Sequence, residues 1–148
     1  MPESSGAERD AHDMLRERFG APAGALGGLR FVVRRDEIWV TSAPPAELAE
    51  VRPPGMRAFR ITKAGLKPTS LLLRRIAPHL RRNVVDLSRG ELEQLLLGRS
   101  LPCTPSDGFV ALAYAGDVLG CGRCAGGELR CLLPTSQRKG LLEILAAE

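Results

Sequence analysis

The stretch "GFVALAYAGDVLGCGRCAGGELRCLLP", Gly108 to Pro134, decides the fold class. It holds three β-prone runs separated by "AGD" and "AGGE", both turn-forming. Short apolar runs with Gly and Asp between them predict an antiparallel meander. A closing helix over "SQRKGLLEILAAE" is expected after it. Ahead of it, "NVVDL" predicts a short buried strand. Ser88 then caps a helix, "RGELEQLLL", with Glu91 three residues on as in a capping box and Gly98 at its end.

Further upstream the elements alternate. "AERDAHDMLRERF" predicts a charged helix from Ala7 to Phe19 behind a loose tail, with Met14, Leu15 and Phe19 as its apolar edge. "RFVVR" and "EIWVTS" around "RDE" predict a hairpin, with Asp36 and Glu37 in its turn. "APPAELAEV", residues 43–51, predicts a helix, and "RPPG" a break. "MRAFRIT" predicts a strand. Pro68 suits a helix start, Thr69 or Ser70 can cap it, and "SLLLRRIAPHL" runs helically until Pro78 interrupts. The expected class is α+β: a small α/β N-terminal portion over 1–62 (helix, hairpin, helix, strand), then a second portion over 63–148.

Net charge is +4, but its distribution is uneven. Residues 1–51 balance to −3 and residues 100–148 to −1. Residues 52–99 carry 11 basic against 3 acidic side chains, a balance of +8. Within Gly65–Ser88, five Lys and Arg face a single acid, Asp86. Lys67, Arg74, Arg75, Arg81 and Arg82 flank a helix whose Leu72, Leu73 and Ile76 form the apolar side, leaving the arginines outward. Arginine's planar fork donates bidentately to phosphate oxygens. Such asymmetry predicts a basic patch facing an anionic partner, the alternative being a solvated helix face. With aromatics at 4%, RNA would be held by backbone and shape more than by stacked bases.

Other chemistry is poorly supported. The four cysteines, Cys103, Cys121, Cys124 and Cys131, include one C-x-x-C, but structural zinc usually takes two such knuckles. "LGCGRC" lies in a predicted strand, which turns Cys121 and Cys124 to opposite faces. A redox pair normally opens a helix. Buried thiols are the expectation, with zinc the alternative. His12 and His79 sit in charged helical segments without an evident partner. No G-x-S-x-G or P-loop pattern occurs. No apolar run approaches the about 20 residues of a membrane span, and the acidic start lacks a secretory pattern. A cytoplasmic protein without cofactor, metal or membrane partner is expected.

Lys67-Pro68-Thr69, Asn83 to Ser88, Gly98, Gly108-Phe109-Val110, Leu119-Gly120-Cys121-Gly122 and Pro134, in this order, resemble a known pattern. It is that of the PUA-like RNA-binding domain at the C-terminus of Sun/RsmF-type RNA cytosine-C5 methyltransferases. "MRAFRIT" is similar to the strand before the Lys-Pro-Thr element, so the resemblance spans Met56 to Leu142. It implies a PUA-like β pseudobarrel with flanking helices over 63–148, binding structured RNA such as tRNA or rRNA. The family domain is usually fused to a methyltransferase that binds S-adenosylmethionine, for which 148 residues leave no room. "PCTP" at 102–105 is similar to a methyltransferase Pro-Cys motif, but is expected in a loop before the sheet with no cofactor strand beside it. In "RCLLP" the basic residue of the family is kept as Arg130, while Cys131 departs from it.

The resulting expectation is a non-catalytic RNA-binding protein acting in RNA modification or ribosome biogenesis. Lys67, Arg74, Arg75, Arg81 and Arg82 supply phosphate contacts, and Arg123 and Arg130 add contacts from a hairpin. A separate RNA methyltransferase or a ribosomal particle is the further partner considered. The competing expectation is a protein-interaction subunit of such a methyltransferase with little RNA affinity of its own.

Overall fold

The computed structural model describes residues 2–42 and 55–148. The helix expected over 43–51 and most of the following break lie outside the described residues. The chain divides into two compact units, Met1–Arg82 and Asn83–Glu148.

The first unit opens with α1 (Pro2–Phe19), followed by a 3-10 turn at Ala23–Leu26. Pro2 opens the helix, where a missing N–H costs nothing, so helix replaces most of the expected loose tail. β1 (Arg30–Arg34), β2 (Glu37–Thr41), β3 (Met56–Thr62) and β4 (Gly65–Pro68) form an antiparallel sheet in sequential order. Arg35, with φ 57°, and Asp36 make the tight β1–β2 turn, while Glu37 already belongs to β2. A short helix α2 (Ser70–Arg75) ends the unit with a 3-10 turn at Ala77–His79, where Pro78 stops the α-helix. The Thr69 hydroxyl accepts from the Leu72 N–H, as expected of a cap.

β4 is a strand that its residues do not announce. Gly65–Pro68 pairs with β3, with Phe59 opposite Pro68 and Arg60 opposite Lys67. Pro68 thus ends a strand instead of starting a helix; it sits on an edge, where its absent N–H breaks no ladder. This pairing holds residues 65–68 to the first unit, and the compact units part at 82/83. Asn83 turns the chain out of the basic segment with φ 58°, a conformation Asn tolerates.

The second unit contains β5 (Val84–Leu87), α3 (Arg89–Leu96), β6 (Leu101–Pro102), β7 (Gly108–Tyr114), β8 (Asp117–Ala125), β9 (Glu128–Cys131) and α4 (Thr135–Ala147). Its sheet runs β5-β7-β8-β9-β6. The expected meander is β7-β8-β9. β5 adds in parallel to β7, starting as the Ala111 N–H donates to the Asn83 carbonyl. β6 adds antiparallel to β9, so "PCTP" begins at a sheet edge and not wholly in a loop. The result is α+β, with a pseudobarrel-like sheet and flanking helices.

α3 has the complete capping box of Ser88 and Glu91. It ends in a Schellman motif: the Arg99 N–H donates to Gln94 and the Gly98 N–H to Leu95, with Gly98 at φ 89°. Arg89 ties α3 to α4, donating to the Leu145 carbonyl and pairing with Glu148 at 3.8 Å. Leu92, Leu95 and Leu96 of α3 pack with Val110, Leu112, Cys124, Leu129, Leu133 and Leu145 in one apolar cluster. Cys124 joins this core. Cys121, three residues earlier on a regular stretch of β8, takes the opposite face. All four cysteines are free thiols. Among the described residues, no group of three or more His, Cys, Asp or Glu could hold a metal ion. No described helix is long and apolar enough to cross a membrane.

The core tolerates no side chain at Gly122. A Cβ there would lie 2.8 Å from Leu112 Cδ2 and 3.0 Å from the Arg130 carbonyl oxygen. At Gly140, in α4, it would meet nothing within 4 Å. The same substitution should therefore act with opposite signs. Gly122→Ala lowers stability by about 1–3 kcal/mol through overpacking. Gly140→Ala raises it by roughly 0.5–1 kcal/mol through helix propensity. Urea denaturation of both variants checks this; two shifts of the same sign would refute the packing assigned to Gly122.

Candidate nucleic-acid interface

The seven residues expected to touch RNA fall on both units. Lys67, Arg74, Arg75, Arg81 and Arg82 belong to the first, and Arg123 and Arg130 to the second.

In the first unit, α2 presents the expected two sides. Leu72, Leu73 and Ile76 are fully buried, while Arg74 and Arg75 are exposed in the last turn. There they also complement the negative end of the helix dipole. Lys67 lies half-buried on β4. Arg82 has other work. Its Nη2 donates to the carbonyls of Arg16 and Glu17, both at 2.8 Å, and its Nε donates to Glu17 at 3.3 Å. The backbone N–H groups of Arg81 and Arg82 both donate to the Phe19 carbonyl, at 2.8 and 3.2 Å. A helix leaves its last carbonyls unpaired, and here Arg81 and Arg82 satisfy two of them, Glu17 and Phe19, while Arg82 adds a second donor to the Arg16 carbonyl, which already accepts from the Gly20 N–H. Arg81 Nη1 also donates to the Pro78 carbonyl at 2.9 Å. The arginines after the helix thus fasten the chain to α1, a partnership that local sequence does not announce.

In the second unit, Arg123 and Arg130 stand directly opposite each other on β8 and β9. Arg123 also faces Phe109 on β7, its Cζ 5.8 Å from the ring centroid, a cation–π distance. Phe109, Arg123 and Arg130 therefore form one row across three strands. Both arginines are exposed. Like charges opposite one another destabilise a sheet. Glu128 relieves Arg130 only through an exposed contact of 3.6 Å. A row of two cations beside an aromatic face suits a phosphate and its neighbouring base or sugar. Sequence reading found the arginines but placed no aromatic with them; Phe109 enters through the register. The next residue, Cys131, is not poised to react. Burial pushes its thiol pKa up, with the Leu133 N–H donating to Sγ at 3.4 Å and Arg138 pulling the other way.

This row lies inside a recognisable segment. Residues 82–139 match the family model described as the Methyltransferase RsmF PUA domain. This segment is a PUA-like domain of the Sun/RsmF type. The match is to the PUA domain and not to a catalytic domain, and it points to RNA binding in the setting of RNA modification. It is narrower than the resemblance over Met56–Leu142, beginning at residue 82, one residue before the second compact unit. No curated protein matches the chain significantly.

The two arginine roles separate by stability. Arg82→Ala, which takes the side-chain donors from the Glu17 carbonyl at the end of α1, should cost about 1 kcal/mol. Arg75→Ala should stay within about 0.5 kcal/mol of the parent. Chemical denaturation followed by circular dichroism distinguishes them, and equal effects would contradict the assigned capping role.

Proposed function

We propose that the protein is a non-catalytic RNA-binding protein whose PUA-like unit holds structured tRNA or rRNA, in RNA modification or ribosome biogenesis. The observation that carries this reading is the Phe109–Arg123–Arg130 row within the matched segment. Arg123 and Arg130 grip phosphates of a folded RNA, and Phe109 packs beside them. Lys67, Arg74 and Arg75 add phosphate contacts from the first unit. Arg81 and Arg82 support that unit through α1. The excess of +8 over residues 52–99 favours approach of a polyanion.

A contact set of this kind binds mainly by neutralising phosphates and releasing counterions. Affinity for a labelled tRNA or rRNA hairpin, followed by fluorescence anisotropy, should fall steeply from about 50 to about 200 mM salt. In the double variant Arg123→Ala, Arg130→Ala, the slope of log affinity against log salt should become shallower by roughly 2. A double variant that stays folded and binds with unchanged affinity and slope would remove the row from the interface.

A further inference from the structure

The outer face of the first sheet carries a second constellation. Ile38 and Val40 of β2 and Phe59 of β3 are buried on one side, and Phe31 meets the His12 ring of α1 there at 5.7 Å. Alternation sends their neighbours to the other side. Two cross-strand rows result. One is Val32–Trp39–Arg57, and the other is Arg34–Glu37–Arg60–Lys67. Arg30, opposite Thr41, continues the face. A bulge at Ala58, between the pairs Ile38–Phe59 and Trp39–Arg57, keeps both Arg57 and Arg60 on it.

Five cations thus surround Trp39, the only tryptophan of the chain. The acid among them acts as a bracket. Glu37 accepts from the Trp39 indole N–H at 3.3 Å and from Arg57 Nη1 at 2.7 Å. The Arg57 hydrogen bond holds its carboxyl below the usual glutamate range, so it stays charged. Asp36, in the hairpin turn, reaches Arg60 at an exposed 3.7 Å. Among the described residues, no ion pair engages Arg30, Arg34 or Lys67. The indole is half-buried and fixed at its N–H edge, which lowers the ordering cost of stacking against it. The rows stand about 7 Å apart along the strands, two residues at about 3.4 Å each. An extended nucleic-acid backbone can follow that scale. A fixed aromatic among cations on a sheet is the arrangement that takes unpaired bases.

We infer that the outer face of the first sheet binds an unpaired stretch of RNA, one base stacking on Trp39 while Arg30, Arg34, Arg60 and Lys67 hold phosphates. This rests on the RNA reading of the second unit only for the choice of RNA over DNA. The residues and the observation are independent of it.

Because Trp39 is the sole tryptophan, its emission reports the site directly. The full chain is titrated with a labelled oligouridylate, and tryptophan emission and anisotropy are read together. Emission should be quenched with the same midpoint as the anisotropy rise. Trp39→Phe should bind within a few-fold of the parent, and Trp39→Ala roughly tenfold or more weakly. The variant Arg34→Ala, Lys67→Ala alters exposed or edge positions and should weaken binding with Trp39 intact. Quenching that persists in Arg123→Ala, Arg130→Ala supports a separate surface. An anisotropy rise with unchanged tryptophan emission would overturn the inference while leaving the second unit's site standing. No binding of oligouridylate, with the RNA hairpin still bound, would overturn it too.

Discussion

Leu112 occupies the space that a side chain at Gly122 would need. That contact lets β7 and β8 close over the apolar cluster, and it fixes which way β8 faces. With Gly122 and Cys124 against the core, alternation leaves Arg123 on the other side, beside Phe109 and Arg130. A slip of one residue would bury Arg123 and turn Cys124 out. The packing constraint and the candidate interface are therefore two consequences of one register.

A different economy governs the first unit. Its basic segment looks uniform as a string of letters, yet its members divide by geometry. Arg74 and Arg75 project from α2, while Arg81 and Arg82 close the end of α1. Charge counting treats the four alike. The difference arises because a helix terminus needs donors for its carbonyls, and the chain returns to α1 just where these residues lie. Part of the basic segment is thus scaffold as well as surface.

Local rules were legible in the sequence. The Thr69 cap, the Ser88–Glu91 box and the Gly98 terminus each depend on residues within one turn of each other. The β1–β2 hairpin and the β7-β8-β9 meander follow from alternation and turn residues. What lay hidden was long-range. β4 was masked because Lys-Pro-Thr looks like a helix start, and only pairing with β3 makes it a strand. Of the candidate interface, Arg130 could be named from the family pattern and Arg123 as a basic residue of the predicted hairpin. Phe109 as their neighbour, and Trp39 among cations, required cross-strand register, which no spacing along one strand supplies.

The proposed RNA contact is the Phe109–Arg123–Arg130 row of the PUA-like unit. Ultraviolet crosslinking of the full chain to a tRNA or rRNA hairpin, followed by mass spectrometry of the crosslinked peptides, tests it most directly. Crosslinks are expected on the peptides carrying Phe109 and Arg123–Arg130. Crosslinks confined to other surfaces of the chain, with this row unmodified, would contradict it.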